Sequence, residues 1–429
     1  MSEISWSTRS IRECLAESFA GEWGAEPLPG NAHVLRATDI DDDGHVIGSG
    51  ALRRLPIGKL TSRQLEDGDI LLEGSGGGPD KPVGRVAFFD AVEHQGPAVC
   101  SNFFKTLRPD RRVAEPRFLW RKLMWFYRQP TLLTFQQQTT GIINLKFEEY
   151  LNATIEVPAD LAEQRVIAQL LDTLDTAIRE TEALIDKLKA VKQGLLHDLL
   201  TRGIDANGQL RPPQSEAPQL YKESPLGWIP REWEASTVGD CCDVHNNLRL
   251  PIASEVREKM QGEYPYYGPT GPLDHIKEYR IDGTYTLIGE DGDHFLKFES
   301  KPMTQLVSGR FNVNNHAHLL KGRNCLTEWI DVWFRHRDIT LYLTRQGAGR
   351  FKLNKAGLLH LLIALPSQDE QQAICTTVAQ QEARITAEVE CRAKLLCQKA
   401  GLMDDLLTGR VRVTPLLESV QQPAAQTGA

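Results

Sequence analysis

The chain has 429 residues, 49 Lys and Arg against 57 Asp and Glu, and a formal net charge of −8. That length is too great for one hydrophobic core and suits two globular domains with connectors, and the acidic balance argues against indiscriminate nucleic-acid binding while leaving room for local basic patches. No apolar run is long enough to cross a bilayer, and the start of the chain lacks a basic stretch followed by an apolar one, so a cytoplasmic protein with no membrane association is expected. The eight cysteines contain no CxxC pair, which favours reduced thiols over a disulfide framework and gives no metal site.

In chain order, residues 1–157 form a first globular domain with a strand near 83–89 and a helix near 119–127. The glycine run 74–81 is a flexible loop and no phosphate cradle, because Pro79 and Asp80 stand where Gly-Lys would follow. Asp39, Asp41, Asp43 and Gly44 imitate the start of a calcium loop, but position 12 is Gly50, so a surface turn is expected.

Residues 158–203 form a long helix. Ile167, Leu171, Leu174, Ile178, Thr181, Ile185, Leu188, Lys192, Leu195 and Leu199 alternate four and three apart, the heptad spacing that keeps one stripe on a partner helix. Gly- and Pro-rich residues 204–225 form a linker, and 226–365 a second globular domain with a strand near 285–288 and a helix near 329–335. Residues 366–412 form a second long helix with a more polar seam of Ile374, Val378, Gln381, Ile385, Glu388, Arg392, Leu395, Lys399, Leu402 and Leu406. The tail 413–429 is disordered by composition. The fold class is α+β: two mixed domains separated by two long helices.

The two helices are copies of one another. Adding 207 to a position in the first lands on its counterpart in the second, so that Glu163-Gln164 meets Glu370-Gln371, Lys192 meets Lys399 and Asp198 meets Asp405. About a third of the aligned positions are identical. Upstream the offset is 208, pairing Trp125-Phe126 with Trp333-Phe334, Gln138 with Gln346 and Gly141 with Gly349. A duplicated unit of globular part plus helix implies a pseudo-two-fold axis and an antiparallel helix pair. Lys192 and Lys399 interrupt both seams at the same place and are read as lysines snorkelling past the seam, in preference to a register or partner contact.

A search for catalytic constellations finds no Asn/Asp-Pro-Pro-aromatic motif with a glycine-rich cofactor loop, as an adenine methyltransferase needs. Nor is there a carboxylate cluster with Lys, as a nuclease needs: Pro109-Asp110 has no matching Glu-x-Lys. The search favours a non-catalytic role, such as a coiled-coil scaffold with two protein-binding globular domains, over an enzyme.

The chain resembles the specificity subunits of type I restriction-modification systems. The resemblance rests on Glu163-Gln164-Arg165-Val166-Ile167-Ala168 and Glu370-Gln371-Gln372-Ala373-Ile374 opening the helices, and on Lys192-Gln193-Gly194-Leu195-Leu196 and Asp404-Asp405-Leu406-Leu407-Thr408-Gly409-Arg410 near their ends. Ser224-Pro225-Leu226-Gly227-Trp228-Ile229-Pro230 with Trp233, and Tyr266-Tyr267-Gly268 with Asn314-Asn315-His316-Ala317-His318, carry it into the second domain. It implies two target-recognition domains, each reading half of a split double-stranded DNA site, and helices that act as a spacer and dock two methyltransferase subunits. Restriction subunits would add translocation. S-adenosylmethionine, ATP and Mg are then expected on the partners and no cofactor on this chain.

With that function in view, the locally basic stretch Lys105, Arg108, Arg111, Arg112, Arg117, Arg121, Lys122 and Arg128, and Arg345, Arg350, Lys352 and Lys355 in the second domain, become candidate phosphate contacts. Arg85, Tyr267, Thr270, Asn314, Asn315 and His316 are candidate base readers, since Asn pairs bidentately with adenine and Arg with guanine.

Overall fold

A computed structural model describes residues 6–27, 29–77, 81–139, 141–346 and 350–413. The tail expected to be disordered lies, from residue 414, outside the described residues, as do residues 78–80 of the glycine run. The chain divides into two compact units: residues 1–182 with 390–429, and residues 183–389. Each unit holds one globular domain and part of each long helix.

The first unit is built on a four-stranded antiparallel sheet of Leu15–Ala20, Phe104–Pro109, Ile70–Glu73 and Val86–Phe88. A three-stranded sheet of Ala51–Arg53, Ala32–Leu35 and Ala98–Cys100 accompanies it. The helix Pro116–Tyr127 buries Phe118, Leu119 and Leu123 in one core with Ile70, Leu72 and Leu107. That core extends onto Ile167 and Leu171 of the first long helix and Met403 and Leu406 of the second. The second unit has two four-stranded sheets. One orders Cys242–Val244, Ala317–Gly322, Tyr285–Gly289 and Thr304–Val307; the other orders Pro272–Ile276, Gln261–Tyr267, Arg310–Val313 and Ile281–Asp282. Its helix Thr327–Phe334 buries Trp329, Ile330 and Trp333 in a core with Ile374 and Val378.

In each unit a strand near the start of the domain pairs with the strand that feeds a long helix: Trp6–Ser10 with Thr154–Pro158, and Glu234–Thr237 with Leu362–Leu365. The helices then run Leu161–Thr201 and Gln368–Leu407. Asp160 and Ser367 cap their first turns, accepting from the backbone N–H of Ala162 at 2.8 Å and of Glu370 at 3.3 Å.

The repeated Glu-Gln pair joins domain to helix. The Gln164 amide donates to the carbonyls of Pro158 and Val113 and accepts from Glu115 N–H at 2.7 Å. The Gln371 amide donates to Pro366 O and accepts from Leu326 N–H at 2.9 Å. Glu115 and Leu326 are the N-cap residues of the two domain helices, so a buried amide ties each domain helix to its long helix. Glu163 is fully buried and receives both arms of Arg412 at 2.7 and 2.8 Å. Glu370 receives Arg211 at 2.5 and 3.1 Å, the indole N–H of Trp233 at 3.1 Å and Ile204 N–H at 2.8 Å.

The helices pair antiparallel in both units. In the first, Asp175 meets Lys399 at 2.6 Å and Glu182 meets Arg392 at 2.6 Å. In the second, Lys192 meets Glu382 at 2.8 Å, while Glu370 lies against the end of the first helix at Ile204. Three expectations are corrected here. Lys192 and Lys399 do not snorkel; each reaches a carboxylate of the opposite helix. The seam takes Asp175 as a buried residue, with Leu174 half-buried beside it, and Leu195, Ile385, Leu395 and Leu402 are also half-buried, unlike Ile167, Leu171, Ile178, Ile185, Leu188, Ile374 and Val378. The shift is tolerated because Arg121 and Lys399 both bind the Asp175 carboxylate.

The third correction concerns 204–225, expected to be a linker. It is folded: Ile204 and Leu210 pack on the second core, Arg211 is buried on Glu370, and Tyr221–Ser224 forms a hairpin with Gly227–Pro230. Gly203 turns the chain at φ +62°, and a Cβ there would stand 2.2 Å from a Glu370 carboxylate oxygen and 2.5 Å from the Trp233 ring, so both backbone and space demand glycine.

Candidate nucleic-acid interface

In the second unit the fold gathers most of the predicted base readers into one corner. Gln261–Tyr267 runs parallel to Arg310–Val313, with Tyr266 beside Asn312 and Tyr267 beside Val313, and the next residue, Asn314, donates its N–H to Tyr267 O at 3.0 Å. Asn314 is buried; its amide oxygen accepts from His316 N–H at 2.8 Å, which makes it the residue that shapes the loop and withdraws it from contact. Asn315 and His316 are exposed at the bend, and Thr270 is exposed in the Gly268 to Gly271 turn. Tyr267 is half-buried, edge-on to Phe311 at 5.9 Å. Asn314, Asn315 and His316 line a cleft of about 320 Å³ with Ser254, Arg257 and Tyr266.

A charged scaffold stiffens this corner from below. Glu290 takes Arg249 at 2.5 Å and Lys352 at 3.1 Å, and Arg249 also donates to Asn315 O at 3.1 Å. Burial works against the Glu290 carboxylate, but Arg249 and Lys352 hold its pKa below the ordinary range. His318 faces Leu353 O through Nε2 at 2.7 Å and Asn246 through Nδ1 at 2.8 Å. A carbonyl can only accept, so the proton sits on Nε2, and burial keeps the ring neutral with a lowered pKa. His316 meets Asp291 at 2.9 Å, and the Asp291 backbone forms an antiparallel β-bridge with Lys352 of the hairpin Thr344–Gln346 with Arg350–Lys352. Arg345 is exposed on that hairpin, with its guanidinium 5.1 Å from the Phe351 ring. Arg350 opens the second strand, its side chain outside the described residues.

The first unit carries the equivalent hairpin, Gln136–Thr139 with Ile142–Leu145, extended by Ser75–Gly76. Gln137 and Gln138 are exposed on it. These hairpins were missed by sequence reasoning, although the repeated Gln138/Gln346 and Gly141/Gly349 pairs were their signal. Lys105 lies at the hairpin's base, 5.6 Å from the Phe147 ring.

The basic stretch of the first domain is not an open patch. Arg108 chelates Asp69 at 2.9 and 2.8 Å and also meets Glu17 at 2.7 Å and Glu66 at 3.0 Å; the Asp69 hydrogen bonds raise its pKa further. Arg85 meets Glu73 at 3.3 Å and the carbonyls of Ala37 and Ile40. Arg117 binds Asp90 and Asp172, and Arg121 binds Asp172 and Asp175. Lys122 is buried with its ammonium on Leu407 O, the last carbonyl of the second long helix, and burial lowers its pKa to about 8. A cation belongs at that pole of a helix. Arg111 and Arg112 remain on the surface, the first on Asp67 O at 2.5 Å and the second on Asp110 at 2.8 Å. Arg117, Arg121 and Lys122 therefore dock the domain on the helices, a role hidden from a count of neighbouring charges. The turn expected at residues 39–44 is held by aspartates: Asp41 accepts from the N–H groups of Asp43 and His45, and Asp39 binds Arg36.

This arrangement, two unlike mixed domains, each packed within its own unit on a stretch of a duplicated antiparallel helix pair, defines a class of protein. The profile of the family "Type I restriction modification DNA specificity domain" matches residues 30–190 and 230–395. The chain belongs to that family. Over 163 residues it is 31% identical to a Haemophilus influenzae protein named as a type I restriction enzyme specificity subunit, a match spanning 36% of this chain and 37% of that one. It is 27% identical over 312 residues to the type I restriction enzyme MjaVIII specificity subunit of Methanocaldococcus jannaschii, covering 67% of this chain and 68% of that one. Among solved structures, the type I restriction-modification S subunit from M. genitalium superposes with a TM-score of 0.60 at 16% identity, over 95% of this chain and 97% of that one, which shows a common fold. Among the described residues no helix is long and apolar enough to cross a membrane.

Proposed function

We propose that the chain is the DNA sequence-specificity subunit of a type I restriction-modification complex. The observation that carries this reading is the family match over both halves, joined to a fold in which one helix module is duplicated while the two domains differ. Unlike domains on a duplicated frame suit a bipartite DNA site with unlike halves, each read by one domain. At about 1.5 Å of rise per residue, helices of 41 and 40 residues extend about 60 Å, enough to bridge half-sites about 34 Å apart.

The reading surface in the second domain is the corner of Tyr267, Thr270, Asn315 and His316 together with the hairpin carrying Arg345. In the first it is the hairpin bearing Gln137 and Gln138 with Lys105 at its base. Asn and Gln amides on exposed turns can pair with adenine edges. Arg111, Arg112 and Arg345 would serve as phosphate contacts, whereas Arg85 and Arg108 act inside the domain. The chain supplies recognition and no chemistry of its own. Two methyltransferase subunits docked on the helix pair bring S-adenosylmethionine, and translocating restriction subunits bring ATP and Mg.

Mapping methylated adenines in the source genome with and without this gene tests the proposal. Loss of one asymmetric, interrupted motif in the deletion strain is expected. An unchanged methylation pattern, together with sequence-independent or absent DNA binding by the chain assembled with its modification subunits, would favour a protein-binding scaffold.

A further inference from the structure

Three of the eight cysteines converge in the second unit. Cys241, Cys242 and Cys325 are all buried, and their sulfurs all lie within 4.8 Å of one another. Cys241 and Cys242 stand 3.4 Å apart, and Cys242 and Cys325 stand 4.0 Å apart.

Adjacent residues on an extended strand point to opposite faces, so a Cys-Cys pair does not ordinarily present two sulfurs to one point. Here Cys241 ends the helical turn Val238–Cys241 and Cys242 opens the strand Cys242–Val244, and the change of backbone brings both sulfurs to the same side. The third sulfur arrives on a surface loop. Arg323 and Asn324 donate their N–H groups to Cys241 O at 2.8 and 3.1 Å, closing the loop over the cluster.

A metal bound tetrahedrally to thiolates at about 2.3 Å holds its sulfurs about 3.8 Å apart, a spacing that the two measured separations bracket. Among the described residues no His, Asp or Glu joins the group, and an all-sulfur donor set selects soft ions over hard ones.

We infer that Cys241, Cys242 and Cys325 form a three-thiolate site for a thiophilic metal ion of the zinc and cadmium class, with any fourth position left to a water or a small exogenous thiol. Each thiol that ligates releases its proton to solvent as its sulfur–metal bond forms. The bound ion would pin the Gly322 to Leu326 loop to the start of the strand beneath it. That loop leads into the helix Thr327–Phe334, and Leu326 N–H is the group that Gln371 receives, so the metal would stiffen the seat of the domain on its long helix.

The sequence conceals the site because its third ligand lies 83 residues from the second and no CxxC spacing marks it. Cadmium titration of the reduced, metal-stripped full chain tests it, followed by thiolate-to-metal absorption in the ultraviolet and by mass-mapped thiol alkylation under denaturing quench. One equivalent is expected to bind with proton release, to protect Cys241, Cys242 and Cys325 from alkylation, and to raise the Tm. The variant with Cys391→Ser and Cys397→Ser, both exposed, should bind as well as the parent, and Cys325→Ala should bind at least tenfold more weakly. The alkylation map needs no variant and decides the matter if Cys325→Ala fails to fold. Absence of a charge-transfer band, protection confined to Cys391 and Cys397, or loss of binding in their double variant would overturn the site and leave three packed core thiols, without bearing on DNA recognition.

Discussion

In the first unit the carboxylate set between the two long helices, Asp175, is 7% exposed, and its cations Arg121 and Lys399 are 2% and 8% exposed. In the second unit the counterpart carboxylate, Glu382, is 33% exposed, with Lys192 at 22% and Arg335 at 17%. Asp175 and Glu382 are repeat partners at the 207 offset, as are Lys192 and Lys399. The arginines are not: at the 208 offset Arg121 aligns with Trp329, and Arg335 with Tyr127. The carboxylate and lysine thus belong to the duplicated helix, whereas each domain supplies its own arginine from a different place on its surface. Such a socket lets domains of diverged sequence seat on one kind of helix pair.

The difference in burial makes the two sockets unequal, and substitutions can break or sharpen that contrast. Asp175→Leu leaves two cations with little access to water and should cost the first unit about 3–5 kcal/mol. Glu382→Leu frees cations that water can reach and should cost the second unit about 1 kcal/mol. Denaturant unfolding resolved by hydrogen exchange in each unit measures both, and equal losses would refute the ranking by burial.

The order reverses at the helix ends. Gly203→Ala in the second unit meets a positive φ and hard contacts with Glu370 and Trp233, and should cost about 2–3 kcal/mol. Gly409→Ala in the first meets a positive φ and a looser contact, 3.0 Å from the Trp6 ring, and should cost about 1 kcal/mol. Thermal unfolding of the two variants compares them, and a Gly409 variant as damaged as the Gly203 variant would show that space is not the deciding factor.

Acid should separate the sockets more gently. Burial alone would raise both carboxylates, but Arg121 with Lys399, and Lys192 with Arg335, hold Asp175 and Glu382 below their ordinary values. A depressed carboxylate contributes stability that is complete above its unfolded pKa of about 4 and is lost as pH falls through the lower folded value. Asp175→Asn and Glu382→Gln should therefore each flatten the acid limb of the stability curve of their own unit below about pH 4. A flattening at neutral pH would contradict the assignment.

The long helices were legible in the sequence because apolar spacing and a gapless repeat are local signals, and the Glu-Gln pairs marked their starts. The domains were less so: strands as short as Ala51–Arg53, and a parallel pairing of Gln261–Tyr267 with Arg310–Val313, are decided by distant partners. The same limit explains Lys192 and Lys399. Each looked like a defect in an apolar stripe, since the carboxylate that receives it lies on the other helix. Asn314, Asn315 and His316 stood out by residue type, yet only the fold shows that Asn314 is turned inward to brace the other two. The folded segment 204–225 reads as a linker by its prolines and glycine, because the Glu370 carboxylate that captures Arg211 lies far along the chain.

The most direct test of divided recognition is selection of bound duplexes, from a random library, by the chain assembled with its modification subunits, comparing the parent with the Asn315→Ala, His316→Ala double variant. Relaxed preference in one half of an interrupted site, with the other half and the spacing unchanged, is the predicted result. Loss of preference in both halves together, or an unaltered site, would contradict the claim that the second domain reads its own half of the DNA through this corner.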